Sequence, residues 1–226
     1  MRGPLPAKAV GTVKPAYWDE ATRALGQKDR VLRRLIRAYP GIHLKRRSDP
    51  FTTLSRAIVG QQISVKAADA IWRRFVATVA GAAKSAAFPR LDPGAVAANS
   101  AHSLRECGLS QRKAEYLRDL SVHFVSGTLD PKRWKKLDDE ALVTVLVEVK
   151  GIGRWTAEMF LIFHELRADV LPVDDIGLQR AIALHYNGGE RLTPAAMREL
   201  AQPWQPYRSV ATWYLWRSLD PIPVEY

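Results

Sequence analysis

Asp174 and Asp175 stand side by side after Leu171-Pro172-Val173 and ahead of a helical pattern that runs from Ile176 to Tyr186. Two carboxylates at a helix start can act in two ways. They can cap the helix, satisfying orphan amides and the positive end of its dipole. Alternatively, one of them can present negative charge to a developing cation. The residues upstream bear on that second role. Val149-Lys150-Gly151-Ile152-Gly153-Arg154-Trp155-Thr156-Ala157 reads as a tight hairpin between two helices, with Trp155, Met159, Phe160, Ile162 and Phe163 forming the apolar pattern of the second. Glycines at this spacing allow close backbone approach and leave N–H groups pointing outward. At the mouth of a helix those amides form an anion site, and in a basic chain a DNA phosphate suits it. The pairing joins an element that grips a phosphate backbone to one that offers an acid to the gripped strand. Neither half carries that reading alone.

Such residues need a frame, and the rest of the chain reads as helices. At 226 residues, with 47% hydrophobic and 25% charged, it can bury a substantial core and is not disordered in composition. Two helical segments are expected from Asp19 to Tyr39, ended by Pro40-Gly41, and another over Phe51 to Val59. Gly60-Gln61-Gln62-Ile63 interrupts it, and Ser64 can cap the next, Val65 to Val79. After a small-residue loop at Gly81 to Ala87, short helices are expected at Pro93–Ala98 and His102–Cys107. Ser110 then caps Gln111 to Phe124. Leu137 to Val149 is rich in valine, as strands are, but Leu142, Val145, Leu146 and Val149 fall at helical spacing after Asp138-Asp139, which predicts a helix. Thr193-Pro194 opens a helix to Ala201, and Tyr207 to Leu219 forms the last before Pro221. About ten short helices without paired strands make an all-α fold. The expected organisation is a lobe over residues 50–150 and a second over 17–49 with 151–226, flanking a cleft. Residues 1–16 form a loose arm.

The bulk numbers exclude several classes. A net charge of +11 and a pI near 10.0 point to an anionic partner. The basic residues fall in short groups, Arg33-Arg34-Arg37, Lys45-Arg46-Arg47, Arg112-Lys113 and Lys132-Arg133-Lys135-Lys136, each compatible with a solvated helix face. No apolar run approaches the roughly 20 residues of a membrane span, and Met1-Arg2-Gly3-Pro4 lacks a signal-peptide core. Cys107 is the only cysteine, which excludes an internal disulfide and an iron–sulfur cluster held by four thiolates. A cytoplasmic, nucleoid-associated monomer is expected. No Walker loop, dinucleotide fingerprint or His-Glu-x-x-His motif is present, and the histidines do not cluster in sequence.

Three blocks then resemble the helix-hairpin-helix base-excision DNA glycosylases, and more closely their 3-methyladenine DNA glycosylase II branch. They are Arg56-Ala57-Ile58-Val59-Gly60-Gln61-Gln62-Ile63-Ser64, the hairpin Gly151 to Ala157 through Asp174-Asp175, and Trp204-Gln205-Pro206-Tyr207-Arg208-Ser209 with Trp216. The similarity spans residues 50–218. It implies an endonuclease III-like fold and excision of 3-methyladenine or 7-methylguanine from duplex DNA. The family's catalytic acid falls on Asp175, which leaves Asp174 to orient or cap. Trp155 and Trp216 match pocket aromatics, whose electron-rich faces attract a cationic base, and Tyr207 and Arg208 belong to the third block. Gln61, Gln62, Ser64, Lys150, Gly151, Ile152, Gly153, Arg154 and Arg208 are the implied DNA contacts. The wedge that fills the gap left by a flipped base falls on Gln62, where the bacterial inducible enzyme has an aliphatic residue.

Relatives that also cut the strand use a lysine two places after the hairpin's last glycine, and Trp155 stands there. The resemblance therefore implies base removal alone. It requires no cofactor, although a K⁺ or Na⁺ on the carbonyls of Val147, Val149 and Ile152 is implied. Two other readings remain open at this stage: the same fold acting on hypoxanthine, uracil or an oxidised base, and a non-enzymatic DNA-binding module that uses the hairpin only for grip.

Overall fold

The computed structural model describes residues 14–46, 48–80 and 90–220. The expected loop at Gly81 to Ala87, most of the expected N-terminal arm, Arg47 and Pro221 lie outside the described residues. The described residues are helical, with no strand among them. In chain order the helices are α1 (Trp18–Lys28), α2 (Arg30–Ala38), α3 (Pro50–Gly60), α4 (Val65–Ala80), α5 (Pro93–Ala98), α6 (Ala101–Glu106) and α7 (Gln111–Val125). They continue with α8 (Pro131–Trp134), α9 (Asp139–Val147), α10 (Arg154–Phe163), α11 (Ile176–Tyr186), α12 (Pro194–Leu200) and α13 (Arg208–Leu219). A 3₁₀ turn over Gln202–Trp204 precedes α13.

Local chemistry explains most of the boundaries. Asp49-Pro50, Asp92-Pro93, Asp130-Pro131 and Thr193-Pro194 each place a capping oxygen before a proline at the first helical position. Ser110 accepts from the Lys113 amide at the start of α7, and Asp138 from the Ala141 amide at the start of α9. The valine-rich segment is thus helical, because Leu142, Val143 and Leu146 turn to the core while the cap fixes its start. Helix α8 and the 3₁₀ turn had no counterpart in the sequence reading.

Helices α3 to α7 pack on one another, and α1, α2, α11 and α13 form a second packed group. Helix α10 touches α3 as well as α9. Edge-to-face contacts run from Phe51 through Phe124 and Trp134 to Phe160, and Phe160 stacks on His164 at 4.7 Å. Burying aromatics of this size supplies much of the core's stabilisation. The outcome is an all-α fold of two packed helix groups, with a hairpin from α9 to α10; apart from α8, the helices are those the periodicity predicts.

Candidate active site at the hairpin

The hairpin turn is closed by backbone bonds from Val149 N to Leu146 O at 3.3 Å and from Ile152 N to Val149 O at 3.0 Å. Gly151 has φ +84°, a left-handed value that favours glycine, and a Cβ there would stand 2.1 Å from the Tyr116 ring. Its glycine identity therefore serves internal packing. At Gly153 a Cβ would meet nothing within 4 Å, so no internal contact requires glycine there. Gly153 is the N-cap of α10, and no side chain caps that end. The first amides of α10 are left for an external acceptor, and the helix dipole adds to their pull on an anion. The side chains of Val149 and Ile152 are buried, so only their backbone can serve DNA or an ion. Lys150 is largely exposed; its amide donates to Asp119 Oδ2 at 2.8 Å.

Asp175 sits across from this hairpin at the start of α11, 9% exposed. Its Oδ1 accepts from the Leu178 amide at 2.6 Å and from Trp216 Nε1 at 2.7 Å. Its Oδ2 accepts from Trp155 Nε1 at 2.9 Å. Residues from α10, α11 and α13 thus converge on one carboxylate. Gln179 Nε2 holds the Val173 carbonyl at 2.9 Å, fixing the turn that delivers Asp175. Trp155 is 39% exposed, whereas Trp216 stacks on Phe163 with centroids 5.6 Å apart and planes 10° apart.

Several sequence-based assignments change. Asp174 is exposed, and the cap of α11 is Asp175 itself, so capping and the candidate acid role fall on one residue. Asp174 acts electrostatically instead, on buried Glu158 of α10. Burial chiefly pushes the Glu158 carboxyl up to about 6, the pairing with Arg154 opposes that, and Asp174 adds to it. Tyr207 does not join the side chains bonded to Asp175: its ring stacks on Tyr17 and its hydroxyl engages Glu20. Arg208 is not free for phosphate, because its Nε and Nη2 bind the two Asp169 carboxylate oxygens at 2.8 Å each. With Ser209 Oγ accepting from the Val170 amide at 2.9 Å, this block seats α13 and so aims Trp216. Arg154 is similarly engaged, with Glu140 and with Glu158 at 3.1 Å.

The loop between α3 and α4 presents Gln62 to solvent at φ +56°. Gln61 instead turns inward, its Nε2 donating to Gly151 O at 2.9 Å. Ser64 Oγ accepts from the Ala67 amide at the start of α4. The sequence reading missed Ile63 on the same loop and Val65 at the start of α4, which are 38% and 67% exposed. It also missed Gly177, where a Cβ would lie 3.0 Å from Asp175 Oδ1 and 3.2 Å from Trp216 Nε1. Exposed apolar residues flanking Gln62 were a visible signal; nothing in the spacing marked Gly177.

Comparison with known proteins agrees with this geometry. The family described as HhH-GPD superfamily base excision DNA repair protein matches residues 55–206. A Bacillus subtilis protein provisionally named DNA-3-methyladenine glycosylase YfjP is 32% identical over 75% of this chain and 59% of its own length. This chain therefore spans about three-fifths of that relative. The structure of a Bacillus halodurans DNA-3-methyladenine glycosidase superposes with TM-score 0.79 at 35% identity, covering 92% of each chain. That of the Schizosaccharomyces pombe 3-methyladenine DNA glycosylase Mag1, in complex with abasic DNA, gives 0.74 at 30% identity, covering 88% of this chain and 96% of that one.

Proposed function

This chain belongs to the HhH-GPD superfamily of base excision DNA repair proteins, and from that premise we propose that it is a monofunctional glycosylase that releases alkylated purines from duplex DNA. The observation that carries the reading is the Asp175 carboxylate, held by the indoles of Trp155 and Trp216 beside an uncapped helix N-terminus. The related proteins named above, one of them bound to abasic DNA, support the same activity.

The chemistry follows from these groups. A phosphate of the damaged strand sits on the free amides of α10 and brings the sugar of a flipped nucleotide to Asp175. An alkylated purine carries positive charge, and the exposed face of Trp155 attracts it. The C1′–N bond breaks with its electron pair going to the base, which leaves neutral. Asp175 then faces the oxocarbenium-like sugar, and water adds at C1′ and loses a proton. A cationic base needs no strong general acid to leave. With an indole at the position where strand-cutting relatives hold lysine, no Schiff base forms there, and the abasic strand stays intact. The carbonyls of Val147, Val149 and Ile152 would offer a neutral, all-oxygen donor set to a hard monovalent cation, the Val149 oxygen accepting from the Ile152 amide as well. That ion would add positive charge near the phosphate. We also take the protein to act as a monomer.

The test is release of free base from methylated duplex DNA, with strand scission scored separately. Wild type should release 3-methyladenine and leave intact abasic strands. Asp175→Asn should lose about 10²-fold or more of that rate while retaining DNA affinity. Strand cutting by the pure protein would refute the monofunctional reading. Tight binding without release of these bases would move the substrate to a neutral lesion, or the protein to the class of binding modules.

A further inference from the structure

Helix α7 carries Lys113, Tyr116 and Asp119 at three-residue spacing, and side chains so spaced share a face. Each engages a segment that faces DNA in the reading above. Lys113 Nζ donates to the carbonyls of Val59 at 2.8 Å and Gln61 at 2.7 Å, at the C-terminal end of α3 where the wedge loop begins. The Tyr116 ring lies directly on the backbone of Gly151 in the hairpin. Asp119 Oδ2 accepts from the Lys150 amide at 2.8 Å, one residue earlier in that hairpin. Gln61 closes the circuit through its bond to the Gly151 carbonyl.

An ammonium suits the end of α3, because the last carbonyls of a helix lack intrahelical partners and carry the negative end of the dipole. Burial lowers the Lys113 pKa from its ordinary value, a cost accepted at this position. Between the loop, the hairpin and the first turn of α7 lies a cavity of about 540 Å³, lined by Gln61, Gln62, Arg112, Lys113, Tyr116 and Gly151 among others. Beyond the single bond from Gln61 to the Gly151 carbonyl, loop and hairpin are therefore not packed face to face. The remaining ties between them run through α7.

We propose that Lys113, Tyr116 and Asp119 form a strut that fixes the wedge loop relative to the phosphate-gripping hairpin, making them positioning residues for base extrusion. The inference rests on the glycosylase reading. Extruding a base costs unstacking and unpairing, and the loop can push only against a strand that the hairpin holds still. A loop that recoils when loaded does no work on the stack. Bond cleavage at Asp175 does not depend on that stiffness.

The experiment measures single-turnover release of 7-methylguanine from two duplexes. In one the lesion is fully paired; in the other it lies in a run of mismatches, where it is already unstacked. Lys113→Met should lose at least about tenfold more rate on the paired duplex than on the mismatched one, and Lys113→Arg should restore most of the loss. Asp119→Ala, which cuts the strut at its other end, should show the same paired-duplex defect and decides the matter if Lys113→Met does not fold. Equal losses on both duplexes, or no loss on either, would overturn the strut. Wild type releasing no base from either duplex would sink the glycosylase reading first, and is distinguishable because no variant is involved.

Discussion

Both indole N–H groups in the cleft point at the same carboxylate, which commits them. Trp155 and Trp216 have no donor left over for the edge of a bound base. A pocket that reads its substrate by hydrogen bonds rejects close analogues strongly, whereas one that offers aromatic faces sorts weakly by shape and more by charge. Under the proposed function, such a site would accept bases for their positive charge. Gly177 is what lets the three groups meet. A methyl there would press on Asp175 Oδ1 at 3.0 Å and on Trp216 Cδ1 at 3.1 Å, so both must shift by a few tenths of an ångström. Gly177→Ala should lower the excision rate about tenfold. Because alanine is favoured over glycine within a helix by up to about 1 kcal/mol, the melting temperature should hold or rise. A variant that loses activity and stability together would mean that Gly177 serves the fold instead.

Helix α10 joins the site to the core, and its two buried titratable groups oppose each other. His164 at its C-cap is 2% exposed; burial first, and Arg46 second, lower its pKa to about 4. The unfolded chain therefore binds the proton more readily, and the stability this group contributes above pH 6.5 is lost as pH falls toward 4. The shift amounts to about 3 kcal/mol. Glu158 is raised to about 6, so its burial costs about 2 kcal/mol above that pH and the cost is relieved as pH falls from 6 to 4.5. The histidine wins. Wild type should lose melting temperature between pH 7 and pH 4, Glu158→Gln should lose more over that range, and His164→Phe should lose less. Parallel curves for all three would refute the assignment. Elements of this kind were largely legible. Ile176 to Tyr186 was read at both ends, and Ser110, Asp138 and Thr193 announced their helices, because caps act over three residues. Helix α8 escaped because it has only four residues and its Lys132 and Arg133 read as part of a charge group. Tyr207 and Arg208 escaped for another reason. Their sequence block was recognisable, but Arg208 meets its partner Asp169 39 residues away, and only the folded chain shows the pairing.

At the scale of the whole molecule, a net charge of +11 is not the number of cations that meet DNA. Arg208 is held by Asp169, Arg154 by Glu140 and Glu158, and Arg56 by Asp69. Lys132, Arg133, Lys135 and Lys136 are exposed, Arg133 with a loose 3.5 Å contact to Asp130. Lys150 beside the hairpin is 73% exposed and stands 3.9 Å from Asp119, a contact loose enough to give way to a phosphate. Affinity for DNA should fall steeply with salt, because each phosphate neutralised by a cation releases condensed counterions, at a slope of about −0.9 per contact. A lysine that meets a phosphate carries about one unit of that slope, and a cation already paired within the protein carries little. Lys150→Ala should therefore reduce the slope of log affinity against log salt by about 1, measured on undamaged duplex so that base recognition does not enter. Arg208→Ala should weaken the seating of α13, and with it base release, while leaving that slope unchanged. Should Arg208→Ala instead remove a full unit, the guanidinium must leave Asp169 for a phosphate when DNA binds. The direct DNA contact implied by the sequence would then be the correct one, and the pairing with Asp169 would describe only the free protein.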